Sequence, residues 1–276
     1  MKQANSILDQ DIKALRAFLN FYPRRDVARL YNVARLVWRY ADAEDRGELT
    51  DLANHWQRLS DAPMRDLEIK PADQINVQAA KTVVRLKIIY GFDASWVDAF
   101  LLTSIMSTQP VAYKSVAESM AHLYGAAEAL GLMLAAVLRL PKEAQPAVQS
   151  QAKAIAWLHF ISRIPVSAAR KQQLFPRPDL RKFKLKDLNK ETAQGKPKEF
   201  AEFIKLELGR YHQWQNEARD LPKFLSRRQR VALHTAIDGY AHTARQISKR
   251  PATIYDKKVT PSKRRLLLGA IAHSFD

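Results

Sequence analysis

The chain has 276 residues, 47% of them hydrophobic, and a net charge of +17, with no cysteine. The hydrophobic fraction is normal for a globular protein, and the lack of cysteine excludes disulfides, thiolate metal sites and thiol catalysis. The excess of Lys and Arg favours partners that carry phosphate: nucleic acid, anionic lipid or a diphosphate ligand.

Apolar residues recur at helical spacing throughout the chain, and no alternation typical of strands is found. Asp26 and Asp93 are predicted to cap helices, Pro71 to begin one and Gly91 to end one. The segment 175–199 is polar and is predicted to be a loop with a short helix. The predicted helices cover residues 7–22, 26–49, 71–91, 93–109, 113–141, 143–165, about 199–220, about 226–249 and 261–274. Residues 49–61 are predicted to form a short amphipathic helix or a turn.

These elements predict an all-α fold: a single domain over residues 1–276, built as a bundle of about eight to ten helices. No run of about 20 apolar residues occurs, so no membrane-spanning helix is expected. The N-terminus has no apolar segment typical of a secretory signal. We therefore expect a cytoplasmic protein.

Four segments carry a resemblance to a known family. They are "PRRDVARLYNVARLVWRYADAED", "YKSVAESMAHLYGAAEALGLM", "AWLHFISRIPVSAARKQQLFP" and "LGRYHQWQNEARDLPKFLSRRQRVALHTAIDGYAHTARQI…IYDKKVTPSKR". Together they resemble the squalene/phytoene synthase family of head-to-head prenyl synthases over nearly the whole chain. Residues that stand where the family pattern has the same residue are Tyr31, Arg35, Tyr113, Ala127, Gly131 and Met133.

The resemblance implies the isoprenoid-synthase fold, a helical bundle around a central cavity. Candidate residues for the lining of this cavity are Trp38, Tyr113, Ala127, Gly131, Met133 and Phe160. The apolar stretch 129–140 has two interpretations: plain core, or part of a tunnel for a prenyl chain.

In the family, two Asp-rich clusters face the cavity and hold Mg²⁺, which binds the diphosphate of the substrate; Mg²⁺ prefers such hard oxygen ligands. The first pair of aspartates falls here on Trp38 and Arg39, and the second on Arg163 and Ser167. His159 stands where the family has Asn. An arginine cannot bind Mg²⁺ and would repel it.

The acids that remain are Asp42, with Glu44 and Asp45 just beyond it. They are either the solvated end of a helix or residual metal ligands. Arg163 either pairs with Asp42 or joins Arg39 in binding an anion. Two buried like charges are costly, so we predict that Asp42 or a bound phosphate lies close to both arginines.

These departures predict a divergent, non-catalytic member of the family that acts as a prenyl- or lipid-binding protein or as an assembly or interaction protein. One alternative is an active prenyltransferase with a non-standard site. The other is a basic module that binds membrane surfaces or nucleic acid, although no nucleic-acid motif is found. No cofactor is expected, and Mg²⁺ only if the protein is an enzyme. The candidate residues for binding an anion or diphosphate are Tyr31, Arg35, Arg39, Asp42, Asp45, His159, Arg163 and Ser167.

The last predicted helix begins with basic residues and continues with an apolar face. This arrangement is typical of an anchor that lies at a membrane surface. It also fits a helix that only packs on the bundle. If the helix is an anchor, the protein is peripheral at an anionic membrane, and the contacting residues are Lys263, Arg264, Arg265 and Leu267.

Overall fold

The computed structural model describes residues 21–257 together with Val259 and His273. Contacts divide the chain into two compact units. The first unit comprises Met1–Gln109 and Tyr124–Gln149, and the second comprises Pro110–Leu123 and Ser150–Asp276. The single domain over residues 1–276 stays a prediction.

The all-α fold class is confirmed, because the described part of the chain contains helices and one isolated bridge between Ala112 and Gln173, but no strand. A π-helical turn at Tyr124–Glu128 and short 3₁₀ turns complete the elements. The α-helices in chain order are α1 (Phe21–Asp42), α2 (Arg46–Leu59), α3 (Ile75–Tyr90), α4 (Ala94–Met106), α5 (Val116–Leu123), α6 (Ala129–Val137), α7 (Gln145–Ser162), α8 (Ile164–Ala169), α9 (Arg177–Lys182), α10 (Lys190–Gly195), α11 (Pro197–Glu217), α12 (Arg227–Lys249) and α13 (Thr253–Asp256).

Two of the predicted helix ends are confirmed by their caps. The Asp93 side chain accepts a hydrogen bond from the Ser95 backbone N–H at the start of α4. Gly91 ends α3 in the left-handed region, with φ +65°, where glycine carries no steric penalty.

Other predicted boundaries are wrong. The predicted helix 26–49 is two helices, because Glu44 takes a positive φ of 57° and Asp45 caps the start of α2. Helix α3 begins at Ile75 rather than at Pro71. The predicted helix 143–165 ends at Ser162, since the backbone of Arg163 leaves the helical region just before α8. The predicted helices 7–22 and 261–274 lie almost entirely outside the described residues.

The core of the first unit is one apolar cluster. Helices α1 to α4 and α6 contribute its side chains, including Leu30, Val84, Phe100 and Met133, each nearly or fully buried. Trp56 is buried in the same cluster and donates its indole N–H to Asp98, at 2.7 Å. This hydrogen bond satisfies the indole N–H, which is the polar group of the buried Trp56 side chain.

A close helix approach within the first unit depends on Gly125, in the π-helical turn. A Cβ at this position would lie 1.9 Å from Thr103 Oγ1 and 2.5 Å from the carbonyl oxygen of Ala99, both on α4. Only glycine fits there. The predicted helix 113–141 is observed as a helical stretch over Val116–Val137, within which five residues, Tyr124–Glu128, widen into a π turn that packs against α4.

The second unit has a core rich in aromatic rings. The Trp157 ring on α7 contacts Phe175 and Trp214 edge-on, with centroids 5.1 and 5.6 Å apart. Phe175 in turn contacts Phe203 on α11, at 5.5 Å. Edge-on contacts of this kind add stability beyond burial of the rings.

Candidate functional site

One face of α1 carries the first set of predicted site residues. Tyr31, Arg35, Trp38 and Asp42 follow one another at three- or four-residue steps, so they share this face. Tyr31 is buried, and its ring meets Trp38 edge-on at 6.0 Å. The guanidinium carbon of exposed Arg35 lies 6.0 Å from the Tyr31 ring centroid. This part of the face is thus an aromatic pair beneath a cation.

Arg39 and Trp38 occupy the positions of the family's first aspartate pair. Trp38 packs edge-on against Phe100 of the core, at 6.4 Å. The Arg39 side chain is exposed, with its guanidinium carbon 5.9 Å from the Tyr40 ring centroid. Because Arg39 is exposed, the cost of burying two like charges does not arise for it. The predicted closeness of Asp42 or a phosphate to both arginines stays a prediction.

The acids after α1 lie at the turn between two helices. Asp45 is exposed, and its Oδ1 accepts the Glu48 backbone N–H at 3.1 Å, which caps α2. Asp42 ends α1 and Glu44 forms the turn. For Asp45 this geometry favours the interpretation of a solvated helix end over that of a metal ligand.

The second set lies at the junction of α7 and α8, in the second unit. Arg163 is the single residue between the helices, and its Nη1 lies 3.5 Å from Nε2 of His159, one turn earlier. Both side chains are partly buried, whereas Ser167 on α8 is buried. The face that carries aspartates in the family therefore presents an imidazole, a guanidinium and a hydroxyl.

Tyr113 and Phe160, both predicted to line a cavity, lie on either side of a buried histidine. The His122 ring centroid is 5.3 Å from that of Tyr113 and 5.9 Å from that of Phe160. Burial lowers the pKa of His122 to about 4 and raises that of Tyr113. His122 is therefore neutral at physiological pH. Its burial could not be predicted from the sequence, apart from its position in an apolar helix.

The remaining cavity candidates lie in the first unit. Met133 lines an apolar cavity of about 20 Å³, together with side chains such as Leu30, Trp56 and Phe100. Ala127 and Gly131 are partly buried and do not line it. A cavity of this volume holds about one water molecule, so it does not by itself accommodate a prenyl chain.

The donor set does not fit Mg²⁺. Within residues 21–257, with Val259 and His273, no group of three or more His, Asp or Glu side chains is placed to hold a metal ion. A magnesium site needs one or two carboxylates in addition to phosphate oxygens and waters. At the positions of the family's two aspartate pairs the chain has Trp38, Arg39, Arg163 and Ser167, none of which is a carboxylate.

A buried ionic network in the second unit was missed from the sequence. Arg210 Nη1 donates to Glu207 Oε2 and to Asp179 Oδ2, each at 2.7 Å. Trp157 Nε1 donates to the same Glu207 oxygen at 3.2 Å. Glu207 is fully buried, and burial raises its pKa to about 7 despite the nearby Arg210. The sequence feature that could have indicated this network is the position of Glu207, an acid that lies in the apolar stripe of α11 between Phe203 and Tyr211.

The predicted membrane contacts Lys263, Arg264, Arg265 and Leu267 lie outside the described residues. Among the described helices, Val116–Val137 alone has the length and apolar composition to cross a membrane, and 56% of its most apolar window is buried inside the protein. Core helices have the same properties, so this is weak evidence. The expected cytoplasmic or peripheral location stays a prediction.

Comparison with known proteins agrees with this architecture. The model of the squalene/phytoene synthase family matches residues 9–265. A dehydrosqualene synthase crystallised with ligand is 14% identical and superposes with a TM-score of 0.72, over 96% of this chain and 91% of its own. The squalene synthase HpnC from Alicyclobacillus acidocaldarius, also 14% identical, gives 0.57 over 87% and 98%. No curated protein sequence matches significantly.

Proposed function

The chain belongs to the squalene/phytoene synthase family, and from this premise we propose that it is a non-catalytic member that binds a prenyl or lipid ligand without converting it. The family comprises prenyltransferases that bind prenyl diphosphates.

The observation that carries the proposal is the set of side chains at the two family metal positions. A prenyl diphosphate ionises when its leaving group is neutralised, and in this family Mg²⁺ supplies the positive charge. Trp38 packs on the core, Arg39 and Arg163 repel cations, and Asp45 caps α2. The loss of carboxylates at these positions removes ligands that Mg²⁺ prefers, which supports the proposal.

Arginines can still bind the diphosphate group. Their guanidinium groups match phosphate geometry and keep their charge at all physiological pH values. Arg35 and Arg39 are exposed one turn apart on α1. Binding the substrate and the transition state equally well gives affinity without turnover, which is the behaviour we propose.

The test combines turnover and binding. Purified protein is incubated with Mg²⁺ and radiolabelled farnesyl or geranylgeranyl diphosphate, and C30 and C40 products are compared with those of a heat-denatured sample. We expect no product above that control, but measurable binding of the labelled diphosphate. Product formation that depends on Mg²⁺ would overturn the proposal and favour an active prenyltransferase with a non-standard site.

A matched pair of variants tests whether the diphosphate binds at Arg39. Arg39→Gln should weaken binding of geranylgeranyl diphosphate about fivefold, as expected for loss of one partly exposed charged contact. Arg46→Gln removes the same charge from the exposed start of α2 and should change affinity less than twofold. Equal effects of the two variants would show that only net charge matters.

An interaction role is the second candidate, favoured by exposed apolar side chains in the first unit. Leu102 is 59% and Met106 47% exposed, one turn apart on α4. Adjacent exposed apolar residues are typical of surfaces that bind protein. A photo-crosslinking residue at position 102 should capture one specific protein in the host cell, whereas the same residue at the exposed position of Lys205 should not. Identical captures at both positions would reject this role.

A further inference from the structure

A cleft of about 260 Å³ in the second unit is lined by basic side chains and lies outside the sets of residues described above. The residues of its lining that the structure describes are Arg227, Arg230, Val231, His234 and His273. Four of these five residues can carry positive charge. The volume is just below that of typical pockets for drug-sized ligands, so it suits a small polyatomic anion or a headgroup.

Helix α12 supplies four of the lining residues from one face. Positions 227, 230, 231 and 234 are spaced by three or four residues, so their side chains emerge side by side. The start of this helix is fixed by a capping box, in which Ser226 and Gln229 exchange side-chain and backbone hydrogen bonds. Arg230 Nη1 also donates to the carbonyl oxygen of Leu225, at 3.2 Å, which holds this guanidinium group near the cleft.

The two histidines complete the cleft. Their ring centroids are 5.3 Å apart, and the rings are inclined by 36°. Nε2 of His273 lies 2.8 Å from Oδ2 of Asp238, which is one turn after His234 on α12. Asp238 thus orients the His273 ring. The cleft thus presents two imidazole and two guanidinium groups from residues that lie side by side.

We propose that this cleft binds a phosphate group. Arginine provides parallel N–H donors that match phosphate oxygens, and histidine adds donors that strengthen when protonated. The second unit has 28 Lys and Arg against 12 Asp and Glu, so its field attracts anions toward the cleft. The phosphate belongs either to a free anion or to the headgroup of a phosphomonoester lipid, since both present the same chemistry.

The test uses the full chain and defined probes. Inorganic phosphate and pyrophosphate are titrated by calorimetry at low ionic strength into the wild type, Arg227→Gln, and the double variant Arg227→Gln/Arg230→Gln. We expect about tenfold weaker binding in the double variant, as for charged hydrogen bonds, and an intermediate loss in Arg227→Gln. The single variant keeps the Arg230 contact with Leu225 and so controls for altered folding, which thermal melting also checks.

Arg228→Gln is the matched control, because Arg228 lies next to Arg227 but does not line the cleft. It should change affinity less than twofold. Sedimentation with phosphatidylcholine vesicles, with and without phosphatidic acid, separates the two sources. Binding to phosphatidic acid that is lost in the double variant, without binding of free phosphate, identifies a headgroup site, and the reverse identifies a soluble ligand.

The proposal is overturned if wild-type protein binds neither free anion nor phosphatidic acid at low salt. It is equally overturned if Arg228→Gln weakens binding as much as Arg227→Gln does. Neither result bears on the proposed binding of a prenyl diphosphate, which involves Arg35 and Arg39 of the first unit.

Discussion

The two units differ most in where they carry charge. The first unit has 17 Lys and Arg against 16 Asp and Glu, and the second has 28 against 12. Nearly all of the net charge of +17 therefore belongs to the second unit. The first unit is also packed around an apolar cluster, and the second buries Glu207 and His122, whose pKa values are shifted by burial. We therefore expect the stability of the first unit to depend mainly on close packing. We expect the stability of the second unit to depend on pH, through the titration of Glu207 and His122.

The largest predicted effect tests the close packing of the first unit. Gly125→Ala places a Cβ 2.5 Å from the Ala99 carbonyl oxygen, and backbone cannot move aside as a side chain can. We expect the free energy of unfolding, measured by urea denaturation, to fall by about 3 kcal/mol or more.

The same substitution in the second unit is the control. A Cβ on Gly209, inside α11, meets nothing within 4 Å. Gly209→Ala should stabilise the protein by about 0.5–1 kcal/mol, because alanine is the better helix former. Equal destabilisation by both variants would show that packing does not distinguish the units.

The second prediction concerns Glu207. Its pKa rises from 4.5 to about 7 on folding, so its contribution to stability is present below pH 4.5 and is lost as the pH rises through 7. Glu207→Gln removes this dependence. Relative to the wild type, the variant should become more stable between pH 5 and pH 8, by on the order of 2 kcal/mol. Glu202→Gln, which changes an exposed acid on the same helix, should show no such trend in urea denaturation.

The third prediction concerns His122, whose effect on the pH dependence of stability is opposite to that of Glu207. Burial lowers its pKa from 6.5 to about 4, so protonation favours the unfolded chain and stability falls as the pH drops from 6.5 to 4. His122→Phe keeps a ring between Tyr113 and Phe160 and should reduce this loss by about 2 kcal/mol. Thermal melts of the wild type and the variant at pH 4.5 and pH 7 measure this loss of stability. If exposed His212→Phe reduces the loss equally, burial of His122 is not the cause.

Local signals in the sequence predicted much of the fold. Asp93 and Gly91 act through neighbouring backbone groups, so their roles as caps could be read directly from the sequence. The break after Asp42 could not, because the apolar spacing continues through it and the turn depends on a positive φ at Glu44. The π turn at Gly125 is set by its contact with α4, which is distant in the sequence.

The positions of the candidate site residues could be predicted from the sequence, but their burial and their partners could not. The resemblance identified Arg39 and Arg163, yet the exposure of Arg39 depends on tertiary packing. Glu207 was missed for a similar reason. Its partner Arg210 is one turn away on α11, but Asp179, which completes the network, is 31 residues from Arg210 in the sequence.

The smallest predicted effect separates two roles for Asp45. As a helix cap, its Oδ1 accepts one backbone N–H, and asparagine caps almost as well as aspartate. Asp45→Asn should therefore change the free energy of unfolding by less than about 0.5 kcal/mol, whereas Asp45→Ala should cost about 1 kcal/mol. A residual metal ligand behaves differently, because the amide lacks the charge that Mg²⁺ requires. Thermal melts with and without Mg²⁺ decide between the roles. If Mg²⁺ stabilises the wild type and Asp45→Asn abolishes that stabilisation, Asp45 binds metal and the first unit has kept part of the family's site.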